Sequence, residues 1–275
     1  MRFATASPAV AALVIAAAAA SQAHASKLPA TAPIPVAVDT KAQDVLRCMQ
    51  GNLPQDLSVQ SFSLTAIDRQ GGKREMHGRL YAQRSAAQMT LNMKLKSPQH
   101  LAGAAYLVRE VKARDHDEMF VFLPSVGRTR RVTGAAVQGP LLGTDFSYGE
   151  LKLAYSSYQN GAASYLGLGQ EQGGAVHRLR VTTTNAGAPQ QIDLAVDTQS
   201  CVVLAANIRQ AGQLRKQVSS PRSALVQDGT RWYAREVLMV DVLKGSQSQL
   251  RTSPWNMAPH LSPALFNPRL FDRIS

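Results

Sequence analysis

Nine residues, Gln88-Met89-Thr90-Leu91-Asn92-Met93-Lys94-Leu95-Lys96, alternate polar and apolar without a break. A strand sends successive side chains to opposite faces, so Met89, Leu91, Met93 and Leu95 share one face. The opposite face, with Lys94 and Lys96, is expected to be wet. The same rhythm recurs along the chain. Ser58 to Arg69 and Gly78 to Arg84 flank Gln70-Gly71-Gly72-Lys73, a hairpin signal. Ala104 to Val111 and Met119 to Leu123 flank the charged turn Arg114-Asp115-His116-Asp117. Further strands are expected over Ala175 to Thr183, Gln190 to Val196, Cys201 to Arg209, Leu214 to Ser220, Arg231 to Val242 and Gln247 to Trp255. Short strands separated by Gly, Asn and Asp turns argue for a meandering antiparallel sheet.

Helix is scarce in this pattern. Lys41 to Gln50 reads as one, opened by a Thr40-x-x-Gln43 capping box. Its apolar stripe is Ala42, Val45, Leu46 and Met49, and Gly51-Asn52 with Pro54 stops it. Gly139 to Gly174 breaks the strand rhythm and is expected to hold a short helix and loops. Leu261 to Pro268 reads as a closing turn or short helix. A large sheet must cover its apolar face, and a curved sheet with few helices to cover it leaves room for a lipophilic cavity. The expected class is mainly β, within α+β.

The N-terminus reads as a processing segment. Arg2 precedes an apolar run, Ala9 to Ala20, and Ala23-His24-Ala25 is a small-x-small cleavage site. The run is too short to span a bilayer. Residues 1–25 are therefore read as a signal peptide, 26–39 as a Pro/Ala-rich extended leader, and 40–275 as a single domain exported to the periplasm. The net charge is +12, or +11 without Arg2. Such a balance suggests anionic partners, and export disfavours nucleic acid among them. In an oxidising compartment the two cysteines, Cys48 and Cys201, are compatible with one disulfide, with two separate buried thiols as the other reading.

Catalytic patterns are missing from the sequence. There is no Gly-x-Ser-x-Gly elbow and no His-Glu-x-x-His, and the histidines after residue 25 (77, 100, 116, 177 and 260) are scattered. Asp115-His116-Asp117-Glu118 reads as a solvated hairpin tip rather than a metal site. Tyr81, Trp232, Tyr233 and Trp255 read as sheet-face packing rather than sugar platforms. Neither an enzyme nor a cofactor or metal is expected. Arg128, Arg130 and Arg131 follow a Leu-Pro-x-x-Gly turn, and alternation puts Arg128 and Arg130 on one face and Arg131 on the other. Two readings stay open for them. They meet an anionic head group, or Asp145 or Glu150 binds one of them and pins the mid-chain loop.

Four stretches resemble a known family. Ser97-Pro98-Gln99-His100-Leu101-Ala102-Gly103-Ala104-Ala105-Tyr106-Leu107 is similar to a turn and strand that follow a second long sheet segment. Met119-Phe120-Val121-Phe122-Leu123-Pro124-Ser125-Val126-Gly127-Arg128-Thr129-Arg130-Arg131-Val132 is similar to a strand followed by Leu-Pro, a small residue and Gly-Arg-x-Arg-Arg. Gly143-Thr144-Asp145-Phe146-Ser147-Tyr148-Gly149-Glu150-Leu151 is similar to Gly-Ser-Asp-Phe-Ser-Tyr-Glu-Asp-Leu, with departures at Thr144 and at Gly149-Glu150. Ser262 to Arg269 is similar to a closing Leu-Phe-Thr stretch. Together they resemble the LolA-like outer-membrane lipoprotein-sorting proteins over roughly Lys41 to Arg273. The resemblance implies a strongly curved antiparallel sheet, an open half-barrel closed by a few helices over an apolar cavity. It implies a periplasmic carrier or chaperone of lipoprotein acyl chains or another lipid. An inner-membrane transporter or an outer-membrane receptor would then be its partner. Met89, Leu91, Met93, Leu95, Val121 and Leu123 are the candidate ligand-lining residues. Arg128, Arg130, Arg131, Asp145 and Tyr148 are the candidates for head-group or loop anchoring. The alternatives are an RseB-like sensor or interaction module, an accessory subunit of a membrane exporter, and an envelope hydrolase.

Overall fold

A computed structural model describes residues 39–54, 56–85, 88–111, 117–151, 161–185 and 188–274. The signal and leader readings, apart from Asp39, and most of the 114–117 turn lie outside them. One α-helix, α1 (Thr40–Gly51), precedes a long run of strands. These are β1 (Leu57–Ile67), β2 (Lys73–Arg84), β3 (Gln88–Ser97), β4 (Ala105–Val111), β5 (Glu118–Leu123) and β6 (Arg128–Val132). After the mid-chain segment come β7 (Ala162–Glu171), β8 (Gly174–Asn185), β9 (Ala188–Asp197), β10 (Val203–Gln210) and β11 (Gln213–Ser219). The chain closes with β12 (Leu225–Asp228), β13 (Arg231–Ala234), β14 (Glu236–Asp241), β15 (Ser246–Thr252) and β16 (Asn256–Met257).

The main sheet has 14 strands in the order β6-β5-β4-β3-β2-β1-β15-β14-β11-β10-β9-β8-β7, with β16 against β1. Each described pairing is antiparallel, as the turn-separated alternation requires. β1 and β15 join two meanders, so the first and last parts of the domain meet at the sheet centre. The β1–β2 turn forms because Asp68 Oδ1 accepts from Gln70 N at 2.8 Å and Gly72 N at 2.9 Å, an Asx-type bend. In β2, Gly78 is needed because a Cβ there would lie 2.2 Å from Lys94 O and 2.7 Å from the Phe62 ring.

One face of the sheet carries the main core. Met89, Leu91, Met93 and Leu95 lie in it, with Phe62, Leu80, Tyr106, Leu179, Ile192, Met239 and Leu250. Helix α1 adds Ala42, Val45, Leu46 and Met49, one stripe at 3.6-residue spacing. Asp39, rather than Thr40, caps the helix: its Oδ1 accepts from Ala42 N at 3.0 Å. The second Asp39 oxygen accepts from Tyr165 N of β7 at 2.6 Å. At the other end of the helix, Arg84 of β2 donates to Gln50 O at 2.9 Å. Cys48 on α1 is disulfide-bonded to Cys201, just before β10.

Three expectations need correction. The polar face of β3 is dry over most of its length: Thr90, Asn92 and Lys94 are buried, and only Lys96 is exposed. The C-terminal residues cover that face. Asn92 Nδ2 donates to Leu265 O at 2.7 Å, and Lys94 Nζ donates to Asp272 O at 3.2 Å and to Ile274 O. Backbone carbonyls thus satisfy the polar groups that alternation assigned to water, while Phe271 packs with Ala105 and Leu107 beside them. Second, 139–174 is not all loop, because β7 is a ten-residue strand on the sheet edge. Third, Arg231–Val242 is two strands, split at Arg235: β13 pairs with β12 in a hairpin separate from the main sheet, and β14 joins the sheet.

Candidate functional site

The residues expected to line a cavity lie together on one face. Met89, Leu91, Met93, Leu95 and Val121 are all buried in the main core, and half-buried Leu123 packs against it. Most of this face is roofed by two things, helix α1 and the segment 133–151. That segment folds on itself: Leu141 N donates to Phe146 O at 2.7 Å, and Gly149 N to Val137 O at 3.0 Å. Ser147 and Glu150 form a capping box, Glu150 N donating to Ser147 Oγ at 3.1 Å and Ser147 N to Glu150 Oε2 at 2.9 Å. This presents Leu141, Phe146 and Leu151 to the core, where all three are fully buried. Leu142 turns at φ 52° and Gly143 at φ 75°, and Arg74 of β2 donates to Gly143 O.

The plug is pinned to the sheet by polar contacts under its apolar side chains. The Asp145 carboxylate accepts from Ser246 Oγ and Ser248 Oγ of β15. Glu150 is ion-paired with Lys216 of β11, whose Nζ also donates to Asp145 O at 2.7 Å. Tyr106 OH of β4 donates to Tyr148 O at 2.6 Å, and the two rings sit 5.2 Å apart. Burial pushes the Tyr106 phenol well above its usual range, so it remains a donor. The Asp145 carboxylate and the Tyr148 carbonyl thus take their partners from β15 and β4, and the cation paired with Glu150 is Lys216, not one of the β6 arginines. The sequence reading missed Lys216 because β11 lies far along the chain from the plug.

The arginines stand on β6, the far edge of the sheet, and all three are exposed. Arg130 is opposite Val121 and Arg128 opposite Leu123, so these two share the core face. Arg131 is opposite Phe120 on the outer face, 3.9 Å from Glu118.

An opening to the core lies elsewhere, under the β12–β13 hairpin. Its walls include Leu53, Val218, Trp232, Ala234, Val237 and Trp255, and it holds about 50 Å³. Asn52 fastens the hairpin: its Nδ2 donates to Ser200 O at 2.7 Å and its Oδ1 accepts from Trp232 N at 2.8 Å. None of the residues expected to line a cavity borders this opening. Trp255 packs into the main core, whereas Trp232 stands on the separate β12–β13 hairpin, and both border the opening. Among the described residues, no group of three or more His, Cys, Asp and Glu is placed to hold a metal ion.

A family model described as "Uncharacterized protein" matches residues 88–273, more than half of the chain. No curated protein matches the sequence. Solved structures do match in fold. An outer membrane lipoprotein-sorting protein domain from Vibrio parahaemolyticus superposes with a TM-score of 0.75 at 18% identity, covering 85% of this chain and 99% of that one. A DUF1329 family protein from Desulfovibrio piger gives 0.74 at 16% identity, covering 83% and 96%. A LolA superfamily protein from Nitrosomonas europaea gives 0.64 at 17% identity, covering 82% and 97%. The chain belongs to the family whose model it matches, and its fold is shared with the lipoprotein-sorting domain and the LolA superfamily protein.

Proposed function

We propose that this protein is a periplasmic carrier or chaperone that shields a lipophilic molecule, a lipoprotein's acyl chains or another lipid, on the apolar face of its sheet. The observation carrying this reading is the way that face is covered. Among the described residues, a wide apolar face is roofed by helix α1 and a polar-pinned plug, with an aromatic mouth at one side. Covers of that kind can move as units without breaking the sheet's own ladder.

The half-barrel form is part of the proposal. Supporting it is a span: α1 touches β7 at Asp39 and β2 at Gln50. Twelve helical residues rise about 18 Å, whereas eight strand spacings on a flat sheet come to about 38 Å. A sheet curled around the helix reconciles the two lengths. The lipoprotein-sorting domain from Vibrio parahaemolyticus lends its described role to the reading as analogy only.

Energetics favour such a ligand. A fourteen-carbon chain gains on the order of 10 kcal/mol gross, from about 0.8 kcal/mol per methylene, before the costs of ordering. The mouth's 50 Å³ is room for a few waters only. Loading therefore requires the hairpin or the plug to shift, since a disulfide holds the helix to the start of β10. The experiment is a titration with a fluorescent fatty acid, read by quenching of Trp232 and Trp255. Ala234→Trp, which fills the mouth, is expected to weaken uptake at least tenfold at an unchanged melting temperature. Equal uptake by the variant would remove the mouth from the route.

A further inference from the structure

A second concavity lies on the opposite face of the sheet. It has a volume of about 500 Å³, ten times that of the aromatic mouth. The outer faces of β2 and β3 form its floor, the turn at Ala102-Gly103 one wall, and Asp272 of the C-terminal segment another. Among the described residues its charged lining is Arg79, Lys94, Lys96 and Asp272, three cations to one carboxylate.

The placement of those cations is unfavourable without a counter-ion. Arg79 and Lys94 are directly opposite each other in the β2–β3 register, and like charges in such a pair repel. Lys96 is the extra residue of a β-bulge, where His77 pairs with Ser97 and Gly78 with Leu95, and it lines the same concavity. Lys94 is also held in place. It is buried, and two of the three protons of its ammonium go to Asp272 O and Ile274 O. Burial lowers its pKa while the Asp272 carboxylate acts the other way, so a bound anion would favour the charged form. Arg79 and Lys96 are exposed at the rim, next to the buried ring of Tyr81.

We propose that this pocket binds a phosphate group carried on an organic body. A guanidinium fork and two ammonium charges suit a tetrahedral oxyanion. The volume exceeds what a bare ion needs and leaves space for the group the phosphate is attached to. A phospholipid head group and a soluble phosphate ester share this chemistry. The site lies across the sheet from the apolar core and does not depend on the carrier reading.

The test compares equal removals of charge. Arg79→Gln/Lys96→Gln changes the rim and leaves Lys94 in place. Arg47→Gln/Arg251→Gln removes two exposed cations from α1 and β15. Melting temperatures are measured for both. Binding is measured to phosphatidylglycerol vesicles, to phosphatidylcholine vesicles and to glycerol phosphate. The rim variant is expected to lose at least tenfold in affinity for an anionic probe, and the control variant less than twofold. If that loss is seen with phosphatidylglycerol vesicles, the phosphate is a lipid's; if with glycerol phosphate alone, it is a soluble ester's. Equal losses in the two variants would reduce the effect to overall charge and overturn the site. So would a wild-type protein that binds neither anionic probe.

Discussion

At the scale of single residues, the fold depends on a few buried charges fixed by specific donors. Asp197 is fully buried beside Ser200 and Arg222. Burial alone would raise its pKa, but hydrogen bonds from Ser200 Oγ and N and the Arg222 guanidinium outweigh it and hold the carboxyl below its usual range. A carboxyl depressed in the folded state contributes stability above its unfolded pKa of about 4 and loses it as pH falls through the folded value. The melting temperature is therefore expected to drop on acidification below about pH 4. Arg222→Gln should flatten that drop, which a series of thermal melts between pH 7 and pH 2.5 would show. Glu150 and Lys216 are the second case. Removing one partner leaves the other buried and unpaired, so Lys216→Met is expected to cost about 3 kcal/mol. Adding Glu150→Gln should cost less than the sum of the single changes, a coupling that a urea double-mutant cycle measures.

Among the elements, α1 is held by packing, capping and a covalent link at once. Leu46 is buried against the sheet, and Leu46→Ala is expected to cost about 2–5 kcal/mol in urea unfolding. The Cys48–Cys201 bond closes a separation of 153 residues, and Cys48→Ser/Cys201→Ser is expected to lose about 2–5 kcal/mol. The hairpin β12–β13 depends on Asn52, which ties the end of α1 to Ser200 and Trp232. Asn52→Ala should raise the rate of fatty-acid uptake, measured by stopped flow, because it frees the cover of the mouth. An unchanged rate would mean that the hairpin does not gate entry. Alternation made β3 and the β1–β2 hairpin legible in the sequence, and helical spacing did the same for α1. Alternation could not reveal β7. That strand lies on an edge, carries Gly167 and Gly169, and leaves Leu166 and Leu168 exposed, so no dry face marks it. The burial of Asn92 and Lys94 was equally hidden, because their partners are backbone carbonyls more than 170 residues away.

For the molecule as a whole, the two meanders meet at β1 and β15, and one apolar core extends across both. Even so, the mouth of that core could not be read from the chain, since its walls come from segments between Asn52 and Trp255 that no local pattern connects. The plug was legible only as a resemblance: Asp145-Phe146-Ser147-Tyr148 marked it, but its anchors on β11 and β15 were not visible. The carrier reading requires this assembly to hold a lipophilic molecule while the sheet itself stays intact. Native mass spectrometry of the purified protein, followed by denaturing lipid extraction, tests that most directly. A stoichiometric lipid or acylated peptide, lost on Ala234→Trp, is the expected result. An empty protein that also takes up no fluorescent fatty acid would contradict the carrier and leave the sheet as a surface for binding partner proteins.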